Sequence, residues 1–155
     1  KGKTAPAIPK AVKSFLSDTS SFSPEWSGSI LRMLPESVRG AYPLLREHLR
    51  ILSAGICIGE AKGKDFIPAE ELALSTALRP DAFPVADLDW DDAIRYLKKE
   101  ALLLPAGTEK GYVLVRHKKF PLGFAKHLGN RANNLYPQEW RIRTGYVPEQ
   151  VKTFE

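Results

Sequence analysis

Two apolar runs separated by a short basic turn constrain the fold of this chain more than any other feature. The first run, Tyr112–Val115, is rich in β-branched residues, and the second, Phe120–Leu128, follows after Arg116 and the turn His117-Lys118-Lys119. Runs of this length and composition, joined by so short a turn, predict an antiparallel β-hairpin.

Successive side chains of the second run point to opposite faces of the expected hairpin. On one face, Leu122 and Phe124 are expected to pack while Lys126 reaches the rim. The other face leaves room for a second backbone or a ligand to approach closely, because it carries the smaller set of Pro121, Gly123, Ala125 and His127.

The composition is that of an ordinary folded protein with an excess of positive charge. The 155 residues are 43% hydrophobic, carry a formal net charge of +5 and have a pI near 9.4, which favours an acidic partner: nucleic acid, an anionic membrane or an acidic protein. No apolar run approaches the ~20 residues of a membrane helix, and Lys1–Lys13 lacks the apolar core of a signal peptide. Cys57 is the single cysteine, so no internal disulfide is possible. We expect a cytoplasmic protein with no membrane partner.

Prolines and changes in composition divide the chain into a leading segment and two lobes. Residues 1–27 predict a linker around one short helix at Lys10–Leu16, and the abrupt start at Lys1 is typical of a fragment of something longer. Residues 28–86 predict an intermediate α+β domain. The prolines and aspartates of residues 80–89 mark the best internal boundary, and the second lobe is expected at residues 87–150.

The first lobe is predicted to alternate strands and helices. In chain order these are a strand at Ser29–Leu34, a helix at Val38–Leu49, a strand at Arg50–Gly59 and a helix from Pro68 to about Leu78. Within the second strand, Gly55 and Gly59 indicate points where another backbone approaches closely.

The second lobe is predicted to add a capped helix and two more strands to the hairpin. Asp89 is a typical N-cap for a helix with Trp90, Ile94 and Leu97 on one face. Ala101–Leu104 and Trp140–Tyr146 predict strands, and the chain after Gly129 is expected to be irregular up to Trp140.

The positive charge is concentrated around the hairpin. Between Lys110 and Arg143 eight lysines and arginines face a single acid, Glu139, so this stretch carries +7 where the whole chain carries +5. Aromatic rings and amides that can stack on bases or bond RNA are interleaved with these cations. Such a mixture is typical of a surface that holds a nucleic-acid backbone, although the asparagines are equally typical of turns.

The residues do not assemble into a complete active site. Cys57 has no neighbouring base that would activate a nucleophile, so we interpret it as a small core residue. The three histidines lack metal-ligand spacing, and the aspartates near residue 89 are explained by helix capping. The glycines at 55, 59 and 63 lack the Gly-Lys-Ser/Thr ending of a phosphate loop. We expect no metal.

The basic stretch resembles a known family. Phe120–Lys126, Gly129-Asn130-Arg131, Asn134 and Tyr136-Pro137 are similar to the C-terminal PUA-like RNA-binding domain of bacterial RNA cytosine-C5 methyltransferases of the Sun type. The similarity is to the branch called small-subunit ribosomal RNA methyltransferase F. Leu49–Leu78 resembles the intermediate domain of the same branch, so the resemblance covers about residues 28–146.

The resemblance implies an α+β fold of two small lobes, the second a PUA-like, partly closed β-barrel with flanking helices. It also implies a parent enzyme that transfers a methyl group from S-adenosylmethionine to cytosine C5 in ribosomal RNA. The family's paired Pro-Cys and Thr-Cys settings and its cofactor loop do not occur in this chain. The fragment itself is therefore expected to be non-catalytic and to bind no cofactor, with S-adenosylmethionine bound by an N-terminal methyltransferase domain outside it.

Ribosomal RNA is the partner that the resemblance implies, and the chain's own N-terminal methyltransferase domain is the second. The expected RNA-binding residues combine phosphate grips, polar contacts and a stacking ring: Lys118, Lys119, Lys126, Asn130, Arg131, Asn134, Tyr136, Arg141 and Arg143. The alternative is a protein-interaction module in which the charged stretch docks on the parent catalytic domain or on a ribosomal protein.

Overall fold

The computed structural model describes residues 8–146, which divide between Ala82 and Phe83 into two compact units. Each unit has its own four-stranded sheet, and the described residues form five helices in all. The mixed α and β architecture expected from the sequence is confirmed. The division lies four residues before the expected boundary at residue 87. The reason is that Val85–Asp87, here β5, pairs with a strand of the second unit.

The first unit is an antiparallel meander of four strands with short helices between and around them. Its elements in chain order are α1 (Lys10–Lys13), β1 (Phe22–Ser27), β2 (Ile30–Pro35), α2 (Glu36–Arg39), α3 (Tyr42–His48), β3 (Ile56–Lys62), β4 (Asp65–Pro68) and α4 (Glu70–Ala73). The sheet order is β1-β2-β3-β4, so each strand pairs with its neighbour in sequence.

Apolar side chains from the central strands and the terminal helices form the core of the first unit. Leu31 and Met33 of β2, Ile58 of β3, Leu72 of α4 and Val12 of α1 are fully buried. β2 and β3 are the inner strands of the sheet, so both of their edges are hydrogen-bonded, and the buried residues of the sheet are concentrated in them.

Both glycines expected at close approaches are confirmed in that role. At Gly55, whose φ is +63°, an added Cβ would collide with the carbonyl group of Met33. At Gly59 it would collide with the carbonyl oxygen of Ile67 on β4. Gly59 lies opposite Leu31 where the β2–β3 register shifts, so the bulge and the missing side chain occur together.

The leading segment is not a loose linker as far as the structure describes it. Ser17 donates to the Ala77 carbonyl at 2.9 Å, and Arg79 donates to the Phe15 carbonyl at 2.8 Å. Leu16 is buried, and Phe22–Ser27 forms β1, an edge strand paired along its whole length with β2. The linker assignment is therefore wrong for this stretch, because serines and a proline at a sheet edge imitate linker composition.

The predicted helices of the first unit are too long. The stretch 38–49 breaks into α2 and α3 around Gly40-Ala41, and the helix expected at 68–78 is only the one-turn α4. Pro68 is the last residue of β4, not the first residue of a helix. The strand expected at 50–59 begins six residues later, at Ile56.

The second unit packs one long helix against a mixed sheet. Its elements are β5 (Val85–Asp87), α5 (Trp90–Leu97), β6 (Gly111–His117), β7 (Phe120–His127) and β8 (Ala132–Asn134). The sheet order is β5-β6-β7-β8, with β5 parallel to β6 and the other pairs antiparallel. The hairpin predicted from the sequence is confirmed as β6 and β7.

Both faces of the hairpin are buried in the middle of the sheet. Ala125 belongs to the cluster that packs against α5 residues Ala93 and Tyr96. Phe124, which faces the other way, contacts the ring of Phe83 with centroids 4.8 Å apart. The face of small residues is therefore closed around Ala125 by the protein's own helix and is not open to a ligand there.

The start of α5 is as predicted. The Asp89 side chain accepts from the Asp92 backbone N–H at 2.9 Å, which satisfies one of the orphan donors of the first turn. The expected strand at 101–104 is reduced to a single bridge between Leu102 and Ala132. Ala132–Asn134, expected to be irregular, forms the edge strand β8.

Candidate nucleic-acid interface

The predicted phosphate grips lie at two ends of the hairpin and do not form one cluster. Lys118 and Lys119 are the turn between His117 and Phe120, which pair with each other. Lys126 lies near the other end of β7. Seven residue steps along a strand span about 23 Å at roughly 3.3 Å each, so the turn is far from Lys126. The structure therefore separates Lys118 and Lys119 from the rest of the predicted set.

The turn lysines adopt an unusual backbone conformation. Lys118 and Lys119 have φ values of +46° and +72°, and both side chains are exposed. Two successive positive φ values define the hairpin turn that matches the twist of the flanking strands, which Asn-Gly sequences normally provide. Lysine in this conformation is strained, by roughly 1 kcal/mol for each residue.

At the opposite end of the hairpin, Lys126 is held against an aromatic ring. Its Nζ lies 4.8 Å from the centroid of the Tyr112 ring and donates to the Tyr112 hydroxyl at 3.3 Å. Tyr112 and Lys126 are direct partners across β6 and β7, and Lys126 faces Asn133 across β7 and β8. An aromatic ring, an ammonium and an exposed amide thus form one row across three strands.

The β7–β8 turn adds further polar groups beside this row. The Leu128 N–H donates to the Arg131 carbonyl at 2.8 Å, and Asn130 and Arg131 are exposed on the turn. A Cβ added at Gly129, whose φ is +105°, would lie 2.7 Å from Cε of Lys110. The Lys110 side chain therefore passes directly over the turn. We name the group of Lys110, Lys126, Asn130, Arg131 and Asn133 the basic end of the sheet.

Lys110 and Asn133 were not among the residues predicted to bind RNA. Lys110 directly precedes β6, and the pairing of Gly111 with His127 places it beside Gly129, just beyond the end of β7. Asn133 is next to Asn134, and a sequence gives no reason to prefer one amide over the other until the strand is known. Successive side chains of β8 point to opposite faces of the sheet, and this difference distinguishes Asn133 from Asn134.

A groove of about 780 Å³ adjoins the basic end. It runs between the C-terminal half of α5 and the edge strand β8, and Arg95, Lys99 and Arg131 line it together with Asn133. Two carboxylates of the lining offset part of that charge: Asp92, which lies 3.6 Å from Arg95, and Glu100. The groove therefore offers cations and an amide to an acidic ligand, with Arg131 shared between the groove and the basic end.

Asn134, by contrast, is occupied inside the protein. Its Nδ2 donates to the carbonyls of Tyr96 at 2.9 Å and Glu100 at 3.1 Å, and its Oδ1 accepts from the Tyr136 backbone N–H at 2.9 Å. The side chain closes the end of α5 against β8. Its amide atoms are therefore already engaged where an RNA contact was predicted.

Tyr136 is also part of the packing of the second unit. Its ring contacts the rings of Tyr96 and Trp140, with centroids 5.4 and 6.4 Å away, both edge to face. Its carbonyl accepts from the Lys99 ammonium. Lys99 itself has a φ of +64° directly after α5, where glycine is usual, and this bond helps to hold it there.

Arg141 and Arg143 are exposed in the segment after Tyr136 and do not join the basic end. They line a separate shallow groove with Lys98 and Glu100. The Ile142 N–H donates to the Leu97 carbonyl at 2.9 Å, which attaches this segment to the end of α5. The strand predicted at 140–146 is not formed, because this stretch bonds to a helix end and not to a sheet edge.

The surroundings of Cys57 in the first unit do not activate its thiol as a nucleophile. Its backbone N–H donates to Glu71 at 2.8 Å, and burial raises the pKa of the thiol above its usual value. The neighbouring cation, Arg32, contacts Glu71 at 3.4 Å. A thiol of raised pKa is a poor nucleophile, but Cys57 is half-buried and lies outside the buried core, so its interpretation as a core residue is wrong.

Within residues 8–146, no group of three or more His, Cys, Asp or Glu side chains is arranged to hold a metal ion. None of the helices found in that range combines the length and the apolar character needed to cross a membrane.

Comparison with known proteins defines the class of the second unit. Residues 83–142 match the family described as the methyltransferase RsmF PUA domain. The chain is 32% identical over 110 residues to ribosomal RNA small subunit methyltransferase F of Shewanella baltica (strain OS195), an alignment that covers 68% of this chain and 22% of that protein. It is 32% identical over 92 residues to the protein of that name from Shewanella pealeana (strain ATCC 700345 / ANG-SQ1), covering 59% and 18% respectively.

The resemblance to the methyltransferase F branch is thereby confirmed, and residues 83–142 of the second unit are similar to the methyltransferase RsmF PUA domain. An alignment of 110 residues is longer than the second unit, so the similarity extends into the first unit as well. The chain spans about a fifth of the length of the curated relatives it matches.

Proposed function

We propose that this chain is the RNA-binding module of a ribosomal RNA methyltransferase, and that it positions ribosomal RNA for methylation at cytosine C5. The methyl transfer would take place in a separate methyltransferase domain that binds S-adenosylmethionine, in the cytoplasm. The family of the second unit and the names of the relatives support this function. Binding energy spent on orientation is a recognised source of rate enhancement, so a module without catalytic groups still contributes to the reaction.

The observation that carries the proposal is the row of Tyr112, Lys126 and Asn133 with Lys110 and Arg131 beside it. Lys126 lies over the Tyr112 ring at 4.8 Å, a geometry that keeps the cation fixed at the protein surface. Positive charge beside an aromatic ring and an amide suits a single-stranded RNA, whose backbone is anionic and whose unstacked bases seek flat surfaces.

We also propose that the second unit has the partly closed barrel form of PUA-like domains. Two contacts support closure beyond β8. Leu102 bridges to Ala132 on the open edge of that strand, and Ile142 bonds to the end of α5. The Leu102 segment lies beside β8, where an additional barrel strand would be required, and the Ile142 bond attaches the following chain to the end of α5.

We propose that the hairpin turn of Lys118 and Lys119 makes a second, weaker contact with longer RNAs. Lys118 and Lys119 protrude at the far end of the hairpin, with no aromatic side chain in the turn itself. We propose that Arg141 and Arg143 act in the same way, as peripheral cations. Asn134 and Tyr136 are left out of the proposed RNA contacts because their polar atoms and ring are used in packing.

Replacement of single basic-end cations tests this function. Lys126→Met and Arg131→Met keep much of the side-chain length and remove the charge. Each is expected to weaken binding of a small-subunit ribosomal RNA fragment by about tenfold, as a charge-assisted contact of roughly 1.5 kcal/mol would. Filter binding at fixed salt measures the effect.

The matched control is Lys64→Met, in the exposed β3–β4 turn of the first unit. It makes the same change of charge away from the basic end and is expected to bind RNA as the unchanged protein does. Equal losses in all three variants would show that only net charge matters and would contradict a site at the basic end.

A second candidate function is a protein-interaction module. It is favoured by the exposed leucines of the first unit: Leu44, Leu45, Leu49 and Leu52, of which Leu52 is 86% exposed. Contiguous exposed apolar side chains are typical of protein contacts. In this function the module docks on its own methyltransferase domain or on a ribosomal protein. Tight, salt-insensitive association with an isolated methyltransferase domain, without any RNA binding, would favour it.

A further inference from the structure

The first unit contains a mixed polar and aromatic groove that the basic end does not use. It has a volume of about 310 Å³ and lies between strands β1 and β2, helix α3 and the segment 49–54. This volume is at the small end of the range for pockets that bind small ligands. The groove is lined by side chains of four kinds useful for nucleotide binding: Glu25, Trp26, Arg32, Tyr42, Arg46 and Ser53.

Two arginines lie at the walls of the groove. Arg46 on α3 is 59% exposed and bonds to Glu25 at 2.9 Å, so this ion pair is open to solvent and stabilises the fold little. Arg32 is 27% exposed; it donates to the Ala54 carbonyl at 3.2 Å and to Ser53 and Glu71 at 3.4 Å. Bonds of this length are readily exchanged for a shorter bond to a phosphate oxygen.

An aromatic ring forms part of the same wall. Tyr42 is half-buried at the start of α3, and the guanidinium of Arg46, one turn later, lies 5.8 Å from its ring centroid. A base entering the groove would meet the flat surfaces of the tyrosine and the guanidinium together. Both groups stack on nucleobases of any sequence.

Glu25 gives the groove a preference among bases. It lies opposite Arg32 across β1 and β2, and its carboxylate retains acceptor capacity beside the bond from Arg46. A carboxylate accepts well from an exocyclic amino group such as N4 of cytosine. The carbonyl oxygens that flank the ring N–H of uracil would instead face it with like charge.

We propose that this groove binds one unstacked nucleotide of single-stranded RNA and prefers bases with an exocyclic amino group over uracil. The inference rests on the proposed RNA-binding function and extends it to the first unit. Tyr42 and the Arg46 guanidinium stack on the base, Glu25 accepts from its amino group, and Arg32 bonds the adjacent phosphate.

The test uses nine-residue oligomers of cytidine and of uridine, which differ only in the base edge. Fluorescence polarisation with the full chain is expected to give several-fold tighter binding of the cytidine oligomer. Tyr42→Leu is expected to weaken that binding roughly tenfold, whereas Tyr42→Phe, which keeps the ring, leaves it unchanged. Glu25→Gln is expected to abolish the difference between the two oligomers.

Arg39→Met is the matched control for Arg46→Met. Arg39 is 68% exposed on α2, pairs with Glu36 at 3.0 Å and lies outside the groove. Only the Arg46 variant is expected to bind the cytidine oligomer more weakly. Amide chemical shifts of an isotope-labelled protein, recorded with and without oligomer, locate the binding and are expected to change in α3.

Three results would overturn the inference. One is an unaltered affinity in Tyr42→Leu, and another is shift changes confined to the basic end, which would leave the proposed function intact. The third is that Tyr42→Leu no longer binds a methyltransferase domain, while RNA causes no change in the amide chemical shifts of α3. If neither oligomer binds and Lys126→Met has no effect on ribosomal RNA, the proposed function itself fails.

Discussion

Two adjacent asparagines on one short strand have opposite surroundings. The Asn134 amide bonds to two carbonyls at the end of α5 and to one N–H, whereas Asn133 is exposed next to Lys126. The sequence shows only two amides in a row, each suited to a turn or to RNA. The strand register decides between these roles, and the register depends on partners that are distant in the chain.

Asn134→Ala is expected to destabilise the second unit. The change leaves the Glu100 carbonyl and the Tyr136 N–H without the Asn134 partner, whereas the Tyr96 carbonyl keeps the bond from the Lys99 N–H. Each group left unsatisfied and away from water costs about 1–3 kcal/mol. Because part of the site is exposed, we expect a loss of about 2 kcal/mol in the free energy of unfolding, measured by urea denaturation. Asn133→Ala, one residue earlier, is the control and should change stability by less than about 0.5 kcal/mol. Equal losses in both variants would contradict the structural role of Asn134.

Asp18 offers a second test at the scale of a single residue. Hydrogen bonds from Ser20 and Ser21 lower the pKa of its carboxyl from 3.8 to about 2. Since the folded-state pKa is depressed, the stabilising effect of these bonds is fully present above pH 3.8 and is lost as the pH falls towards 2. Ser20→Ala is expected to raise the pKa of Asp18, measured by NMR titration of the carboxyl carbon. An unchanged value would show that the bonds from Ser20 do not hold the carboxylate in solution.

At the scale of helices and strands, the sequence pattern predicted correctly those elements whose contacts are between residues close in sequence. The β6–β7 hairpin and the Asp89 cap follow from residues close in sequence, and both were predicted. The strands β1 and β8 were missed, because their sequences, FSPEWS and ANN, acquire strand character only from pairing with β2 and β7. The short helices were overestimated because apolar spacing continues past Gly40 and Leu74, where the backbone turns away.

A variant of the hairpin turn tests the contribution of the turn to stability and its contribution to RNA binding in separate measurements. Replacing Lys118 with Asn and Lys119 with Gly provides the residues that this turn type prefers. We expect the free energy of unfolding to increase by about 1 kcal/mol, because the strain of positive φ at two lysines is relieved. Thermal or urea denaturation measures this gain. A loss of stability would contradict the turn geometry.

The same variant removes two charges at the far end of the hairpin. Any loss of affinity for RNA then reflects charge alone, since the fold is expected to be more stable. We expect a modest loss on long ribosomal RNA fragments and none on a three-residue oligomer bound at the basic end, because the turn lies about 23 Å from Lys126. A large loss on the short oligomer would place the main site at the turn.

At the scale of the whole molecule, the sequence located the charge but not its arrangement. The +7 between Lys110 and Arg143 was visible directly, and the resemblance identified its family. The structure distributes these cations over the basic end, the hairpin turn and the segment after Tyr136. Folding therefore reduces one dense sequence segment to three surface patches, and at the basic end an ammonium lies over an aromatic ring beside an exposed amide.

The most direct test of the account is the salt dependence of RNA binding. Replacing Lys110, Lys126 and Arg131 together with Met should make the slope of log affinity against log salt less steep by about 2, since each phosphate contact on a single strand contributes roughly 0.7. Filter binding of a single-stranded ribosomal RNA fragment over a range of salt concentrations gives this slope for both proteins. A clear reduction in the triple variant is the predicted result. An identical slope in both proteins would contradict an RNA site at the basic end of the sheet.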